Sequence, residues 1–269
     1  MQERLIQLLE AISGASSPVS VRRLVEMTGL PKPTIYRNVA SLVECGFVDE
    51  VEGGNRYVLG LRFVKIALIG KSDSHVINAV SAMMQKVVKE ICETTFFARY
   101  RAGRVDLIEI ETPSDPTMSY IYPGLGGRPS HACSSAKAIA AFIEPSVREE
   151  LFDASPIRFT RNTITDSKKI EKEIAQVQRY GYAVCDGEID EGITSVAVPV
   201  NVERLGSIFS IGVVGPSARI TQNIQNRILP VLTAQALRAS AALQHCTVVE
   251  AETTNASIVA EAQFSARLD

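Results

Sequence analysis

Two short stretches hold side chains whose types and spacing could do chemistry. In the first, Lys32, Thr34, Tyr36, Arg37, Asn38 and Ser41 follow one another closely, with Arg22 upstream and Arg56 downstream. Cationic, hydroxyl and amide groups gathered this way suit hydrogen bonding to phosphate oxygens and to the edges of nucleic-acid bases. In the second, His131, Cys133, Ser134 and Ser135 open a helical pattern that includes Lys137. Unpaired backbone N–H groups at a helix start, with nearby hydroxyls and the positive end of the dipole, favour a carboxylate or another anion. A thiol beside a base could also act as a nucleophile, as with Cys133 two residues after His131, or Cys185 next to Asp186. Neighbours so close on a strand or loop rarely reach the geometry required, and no third orienting group is identifiable. Binding is therefore expected here and catalysis is not. His131 is expected to satisfy backbone groups at the helix start, and Lys137 to pair with a carboxylate such as Glu188.

Three helical patterns and a hairpin must position the first group. Leu5, Ile6, Leu8, Leu9 and Ile12 form an apolar stripe that breaks at Ser13-Gly14-Ala15-Ser16-Ser17-Pro18. Ser20 is placed to N-cap a second helix with Val21, Leu24 and Val25 inward, and Thr28-Gly29 ends it. The turn Gly29-Leu30-Pro31-Lys32 leads to a third helix with Pro33 in its first turn, Lys32 outside it and Gly46 closing it after about Cys45. At about 100° per residue, Ile35, Val39 and Leu42 share one face, and Thr34, Tyr36, Arg37, Asn38 and Ser41 are left to face outward. Strands over 47–51 and 56–59 flank the turn Glu52-Gly53-Gly54-Asn55. This is the pattern of a winged helix-turn-helix, whose second helix enters the major groove of double-stranded DNA while the wing brings Arg56 to a phosphate. The alternative is a protein-interaction module attached to a sensor that does not touch DNA.

The chain has 269 residues, 46% of them hydrophobic and 22% charged, which suffices for a sizeable core and excludes wholesale disorder or a coiled-coil rod. This length suggests one large or two smaller domains. With 28 Lys and Arg against 30 Asp and Glu, no global charge favours a polyanion partner. The balance conceals a difference, because residues 1–75 hold nine basic and eight acidic side chains while the remainder is net acidic. A faintly basic head fits specific, dimer-dependent DNA binding better than general affinity for polyanions. Five cysteines, 47, 41, 52 and 61 residues apart, form no CxxC or Cys/His pair at zinc spacing, so no disulfide framework, metal site or cofactor is expected. The N-terminus shows no signal-peptide pattern, and no run approaches the roughly 18 apolar residues that span a bilayer; the expected address is the cytoplasm, without membrane contact.

Beyond residue 75 helices alternate with apolar strands. A long helix is expected over 74–93, strands over 95–101, 105–111 and 119–122, helices over 134–142 and 167–180, strands over 195–200 and 207–214 joined by a hairpin, and a last helix over 222–246.

With these residues placed, the chain resembles the IclR-type family of bacterial transcriptional regulators over about residues 3–246. The first half of the match is Leu30-Pro31-Lys32-Pro33-Thr34-Ile35-Tyr36-Arg37, Leu42, Gly46-Phe47-Val48 and Tyr57-Val58-Leu59-Gly60. The second is the stretch from Arg128 to Ala138, then Gly181-Tyr182-Ala183-Val184, Glu188, Gly192, Ala197-Val198-Pro199-Val200 and Val214-Gly215-Pro216. The resemblance implies an α+β protein: a winged helix-turn-helix domain over 1–60, a linker helix over 61–75 with Leu61, Val64, Ile66 and Leu68 apolar, and a GAF-like effector-binding and oligomerisation domain over 76–246. In the latter an antiparallel sheet is flanked by helices, and residues 247–269 form an extension. It also implies a homodimer or homotetramer on palindromic operators, a repressor responding to a small organic acid or related metabolite. By position, the effector would meet the backbone at Ser134 and Ser135 and the groups at Cys185, Ser195, Gly212 and Val214, with His131 and Asp186 adjacent. The family often has Asp in place of Cys185, and some members have Ser in place of Gly212 and Val214. Each buried polar group left unpaired costs about 1–3 kcal/mol, so these departures imply a less polar pocket and a larger, aromatic or neutral effector. Met118, Leu125, Ile193 and Phe209 are the expected apolar lining.

Overall fold

Apolar stripes at helical spacing build the N-terminal core. The computed structural model describes residues 2–15, 17–51, 54–60, 62–63, 66, 72–115, 117–143, 145–152, 156–202 and 206–244. The chain divides into two units, one running to Lys71 and one from Ser72 to Leu243. In the first, α1 (Gln2–Ser13), α2 (Val21–Thr28) and α3 (Lys32–Glu44) bury Leu8, Ile12, Val21, Leu24, Ile35, Val39 and Leu42. Each such side chain contributes roughly 1.5–3 kcal/mol. Ile6 leaves the expected stripe and is 55% exposed, since two residues from Leu8 is about 200° around the helix.

Local chemistry sets the helix ends. Ser20 caps α2, its Oγ accepting from Arg23 N–H at 3.3 Å, and Gly29 closes it in the left-handed region at φ 67°. The third helix begins one residue earlier than expected. Pro31, not Lys32, is its cap, because the Pro31 carbonyl accepts from the N–H groups of Thr34 and Ile35 at 2.8 and 3.1 Å. Pro33 sits in the first turn, where its missing N–H costs nothing. At the other end, Gly46 N–H bonds to Val43 O and Phe47 N–H to Leu42 O, a Schellman closure.

A three-stranded antiparallel sheet completes the unit, with β1 (Val19–Ser20), β2 (Val48–Glu50) and β3 (Arg56–Leu59) in the order β1-β3-β2. The hairpin turn runs through Gly54 and Asn55 at φ 74° and 62°, where Asn55 N–H donates to Glu50 Oε1 at 2.5 Å. Gly60 must be glycine for a different reason. A Cβ there would lie 2.7 Å from Phe47 C and Val48 N, against the backbone where α3 gives way to β2. Most of the expected linker helix lies outside the described residues, as do Leu61, Val64, Leu68 and the extension 247–269; Arg62, Phe63 and Ile66 are helical, and Ile66 is exposed.

In the second unit, α4 (Asp73–Ile91) buries Val76, Val80, Met84, Val87 and Ile91, one face at helical spacing. A six-stranded antiparallel sheet follows: β4 (Thr94–Arg101), β5 (Arg104–Glu111), β6 (Gly126–Gly127), β7 (Ala183–Asp186), β8 (Ile193–Val202) and β9 (Gly206–Pro216), in the order β6-β5-β4-β9-β8-β7. Residues 94–100 of β4 and 207–215 of β9 are buried without alternation, which marks strands covered on both faces. α4 packs on β4 and β5, and α5 (Ser134–Ala140) on β7, β8 and β9. Outside these lie α6 (Pro145–Leu151) and α7 (Ser167–Tyr180).

Two expected elements differ. Residues 119–122 are not a strand, because the edge of β5 at Asp106 and Leu107 pairs with Gly126 and Gly127 instead. The last helix is not continuous from Gln222: after α8 (Ser217–Ile220) the chain makes a tight turn at Thr221–Asn223 and a wide one at Ile224–Ile228 before the α-helix over 229–244. Pro230 has no N–H to donate back into a preceding α-turn, and the wide turn accommodates that gap.

Candidate functional site

The exposed side of α3 carries Lys32, Tyr36, Arg37 and Ser41, with Thr34 half-buried at its edge. Lys32 Nζ lies 5.8 Å from the centre of the Tyr36 ring. Asn38 does not belong with them. It is 5% exposed, so its expected contact with a base edge is corrected: it lies only about 60° from Ile35 around the helix, on the side that packs. Arg22 and Arg23 both reach the Glu26 carboxylate, at 3.3 and 3.1 Å, and hydrogen bonds from Arg23 and then Arg22 hold that carboxyl below its ordinary range. Arg56 on the wing and Arg23 on α2 line one polar hollow with Ser17 and Ser20, so Arg23 joins the cationic set. This surface, hydroxyl and cation on a helix with Arg56 on the wing, suits phosphate and base-edge contacts.

In the second unit a cleft of about 180 Å³ opens between the start of α5 and the sheet. Ser134 and Ser195 both line it, their hydroxyls 2.8 Å apart, and Cys133, Cys185, Ile193 and Val214 line it too. α5 is only seven residues long, so its dipole is a smaller attraction for an anion than a full helix would offer. A wider groove between α6 and α7 carries none of these residues.

Several expected lining residues are elsewhere. Ser135 is fully buried, 2.9 Å from Cys133 Sγ, and does not line the cleft. His131 is 3% exposed, with Nε2 2.8 Å from Ile157 O and its ring stacked on Phe159, a structural role. Asp186 Oδ1 accepts from Thr194 and Ser217 hydroxyls at the far end of β7, turned away from the cleft. Met118 and Leu125 are 41% and 61% exposed, on the loop that replaces the expected strand, and Phe209 is core. Gly212 acts indirectly. A Cβ there would press on the Phe96 ring and lie 2.5 Å from Val196 O, so glycine leaves room for Phe96, which itself lines the cleft.

The lining that sequence reasoning misses includes Phe96, Leu107, Arg128, Glu188 and Asp190, together with residues 121–123. Arg128 supplies the cation, its Nη2 donating to the carbonyls of Pro123 and Gly124. Behind the cleft, Lys137 is 1% exposed and donates to Glu173 Oε2 at 2.5 Å and Glu188 Oε1 at 2.6 Å. Burial opposes its charge, but attraction from the Glu188 and Glu173 carboxylates prevails and holds the ammonium above its ordinary value. Burial pushes the Cys185 thiol well above its ordinary value, with Glu188 adding to it and Lys137 only partly opposing; the thiol donates to Ala132 O at 2.7 Å. A protonated, buried thiol of this kind is a poor nucleophile.

Comparison with known proteins decides the family. The bacterial transcriptional regulator IclR C-terminal model matches residues 71–241, more than half of the chain, and the IclR helix-turn-helix domain model matches residues 3–52. The chain belongs to the IclR family of bacterial transcriptional regulators. Among curated members, the regulator SauR of Cupriavidus necator is 28% identical over 221 residues, covering 82% of this chain and 87% of that protein. The transcriptional repressor IclR of Escherichia coli is 23% identical over 222 residues, covering 82% and 81%. Among solved structures, an IclR homologue from Microbacterium hydrocarbonoxydans complexed with 4-hydroxybenzoate is 25% identical, covers 91% of this chain and 99% of that one, and superposes with a TM-score of 0.55. The winged helix-turn-helix head thus belongs to a DNA-binding transcriptional regulator of the IclR family, whose curated members include repressors. Among the described residues no helix is long and apolar enough to cross a membrane, and none form a cluster of His, Cys, Asp and Glu able to hold a metal ion.

Proposed function

We propose that the chain is a cytoplasmic, ligand-responsive repressor, not an enzyme, in which a small organic acid enters the cleft at Ser134, Ser195 and Arg128 and changes operator binding. The observation that carries this reading is the cleft itself: a partly open space between α5 and the sheet, with an apolar wall of Phe96, Leu107, Ile193 and Val214 and a polar wall that holds Ser134, Ser195, the Arg128 guanidinium and the carboxylates of Glu188 and Asp190. Such a space, mostly apolar with a few convergent polar groups, is what small-molecule sites look like. The relative bound to 4-hydroxybenzoate supports a carboxylic acid as the ligand class.

On the DNA side, Lys32, Arg56 and Arg22 or Arg23 supply phosphate contacts and most of the affinity, and Thr34, Tyr36, Arg37 and Ser41 supply base-edge and flanking contacts. The working assembly is a homodimer or homotetramer on a palindromic operator. Residues 1–60 read DNA, 61–75 form the linker helix, 76–246 bind effector and oligomerise, and 247–269 extend beyond them. The ligand must bind one arrangement of the assembly more tightly than another, because only differential affinity shifts such an equilibrium.

Fluorescence anisotropy of the full chain on a palindromic duplex, recovered by footprinting DNA that flanks its own gene, tests this. Tight binding that falls steeply with salt and weakens on adding a carboxylic acid is expected. Binding indifferent to salt would instead support the protein-interaction alternative, and a duplex affinity unmoved by every acid would remove the effector site.

A further inference from the structure

The cleft face of the sheet is built from two cross-strand rows. Cys185, Ser195, Val214 and Thr94 stand opposite one another across β7, β8, β9 and β4, and Ala183, Ala197, Gly212 and Phe96 form the next row, two residues along each strand. Side chains two residues apart share a face of the sheet, so both rows point the same way. The first row gives the cleft Cys185, Ser195 and Val214, whereas of the second only Phe96 lines it. Two alanines and a glycine leave the bulk of that row to a single ring. The ring sits directly over Gly212, where a Cβ would lie 2.6 Å from Phe96 Cε2 and closer still to Cζ. Phe96 is 3% exposed, and what remains beside it is a space of about 180 Å³.

Resting on the effector reading above, we propose that Phe96 is the residue that limits the size of the effector, and that Gly212 is its positioning residue. The space is small beside the roughly 300–1,000 Å³ of sites for drug-sized ligands, so the place of one phenyl ring decides a large share of it. Cutting back a buried apolar side chain leaves a dry space that accepts a hydrocarbon, and a shorter residue at 96 therefore admits a larger acid. A side chain at 212 acts in the opposite sense. Its Cβ would lie 2.5 Å from Val196 O as well as against the ring, and that carbonyl is fixed in the β8–β9 pairing while the ring is free to turn. The ring yields, and it yields into the cleft it lines.

Isothermal titration of the full chain with acetate, benzoate and 2-naphthoate tests the assignment. The wild type is expected to bind 2-naphthoate roughly tenfold or more weakly than the tighter of the two smaller acids. In Phe96→Leu and Phe96→Ala, whose folds are checked by circular dichroism, affinity for 2-naphthoate relative to benzoate should rise roughly tenfold or more, and in Gly212→Ala affinity for benzoate relative to acetate should fall. A residue that only packs the core would weaken all three acids together and leave their order alone. A wild type that takes 2-naphthoate as tightly as benzoate overturns the proposal, even where no variant folds. An unchanged order of preference in folded Phe96→Leu or Phe96→Ala overturns it too, and an unchanged benzoate-to-acetate ratio in folded Gly212→Ala overturns the role of Gly212. In each of these cases an acid has bound, and the effector reading stands. Binding of no acid by any of these proteins overturns both.

Discussion

The two units of this regulator place their polar chemistry in opposite positions. In the head, Asn38 is the one buried polar side chain among the described residues, and Lys32, Tyr36, Arg37, Ser41 and Arg56 face outward over a core of aliphatic residues. The second unit buries Arg99, Lys137, Glu188, Ser134 and Ser135 beneath its surface. A surface that reads a long polyanion needs charge in solvent, where it can exchange counterions for phosphates. A cavity that recognises one small molecule needs polar groups fixed and desolvated, where an unmatched group is costly. Substitutions in the head should therefore change binding with little effect on stability, and substitutions in the sensor should change stability first.

The sharpest way to break that comparison is Lys137→Met. It leaves Glu188, 5% exposed, and Glu173 without their cation, and losing one member of a buried ion pair costs about 3–5 kcal/mol. Urea denaturation should show the second unit weakened by that order; wild-type stability in Lys137→Met would mean that the network is dispensable. The sign with pH follows from the raised folded pKa. The contribution of Lys137 is whole below its ordinary value of 10.5 and is lost only as the pH rises through the higher folded value, so stability between pH 6 and 9 should not vary on its account.

Next in size is Arg37→Ala. Arg37 is exposed and belongs to no buried network, so the thermal midpoint should stay put while specific operator affinity falls roughly five- to hundredfold, the worth of a good base contact. Normal footprinting by this variant would move the reading helix away from α3.

Much of the head is legible in the sequence because its information is local. Ser20, Gly29 and Gly46 mark helix ends through their own hydrogen-bonding and conformational preferences, and the structure uses each for that purpose. Asn38 shows the limit of residue type as a guide: polarity argues for solvent, the helical angle argues for the core, and the angle prevails. In the sensor, Ser134 is legible from the family stretch it stands in and Ser195 from its position, and the packing of α5 on β8 brings them together from 61 residues apart. Phe96 is not, and Arg128, although it opens the same family stretch, shows no sign there of reaching the cleft. Phe96 reaches the cleft by lying over Gly212 on the neighbouring strand, and Arg128 by folding back onto Pro123 and Gly124, contacts that no periodicity announces.

A smaller effect separates cap from core. Ser20→Ala removes the acceptor for Arg23 N–H at the start of α2, worth about 1 kcal/mol. The head should melt a few degrees lower, by calorimetry, with the second unit unchanged. A loss as large as that expected for Lys137→Met would show that the head also depends on a buried polar anchor.

The smallest change tests whether charge on the head is spent on folding or kept for DNA. Arg22 and Arg23 share one carboxylate, Glu26, and the side chains are 91%, 64% and 47% exposed. Exposed pairs of this kind contribute little to stability, so Glu26→Gln should leave the melting temperature of the head unchanged. The first helix of a helix-turn-helix crosses the DNA backbone, and α2 holds that place. Freeing two guanidiniums there should tighten duplex binding a few-fold and steepen its dependence on salt by roughly one counterion. Because hydrogen bonds from the two arginines depress the Glu26 carboxyl, the wild-type brake persists at neutral pH and is released only as the pH falls below the ordinary carboxylate range, so the two proteins should converge in acid. Unchanged affinity and salt slope in Glu26→Gln would place α2 away from the phosphates and leave Lys32 and Arg56 to carry the electrostatic share. The corresponding change inside the sensor, Glu188→Gln, lacks that freedom, because there the carboxylate answers a buried cation and not the solvent.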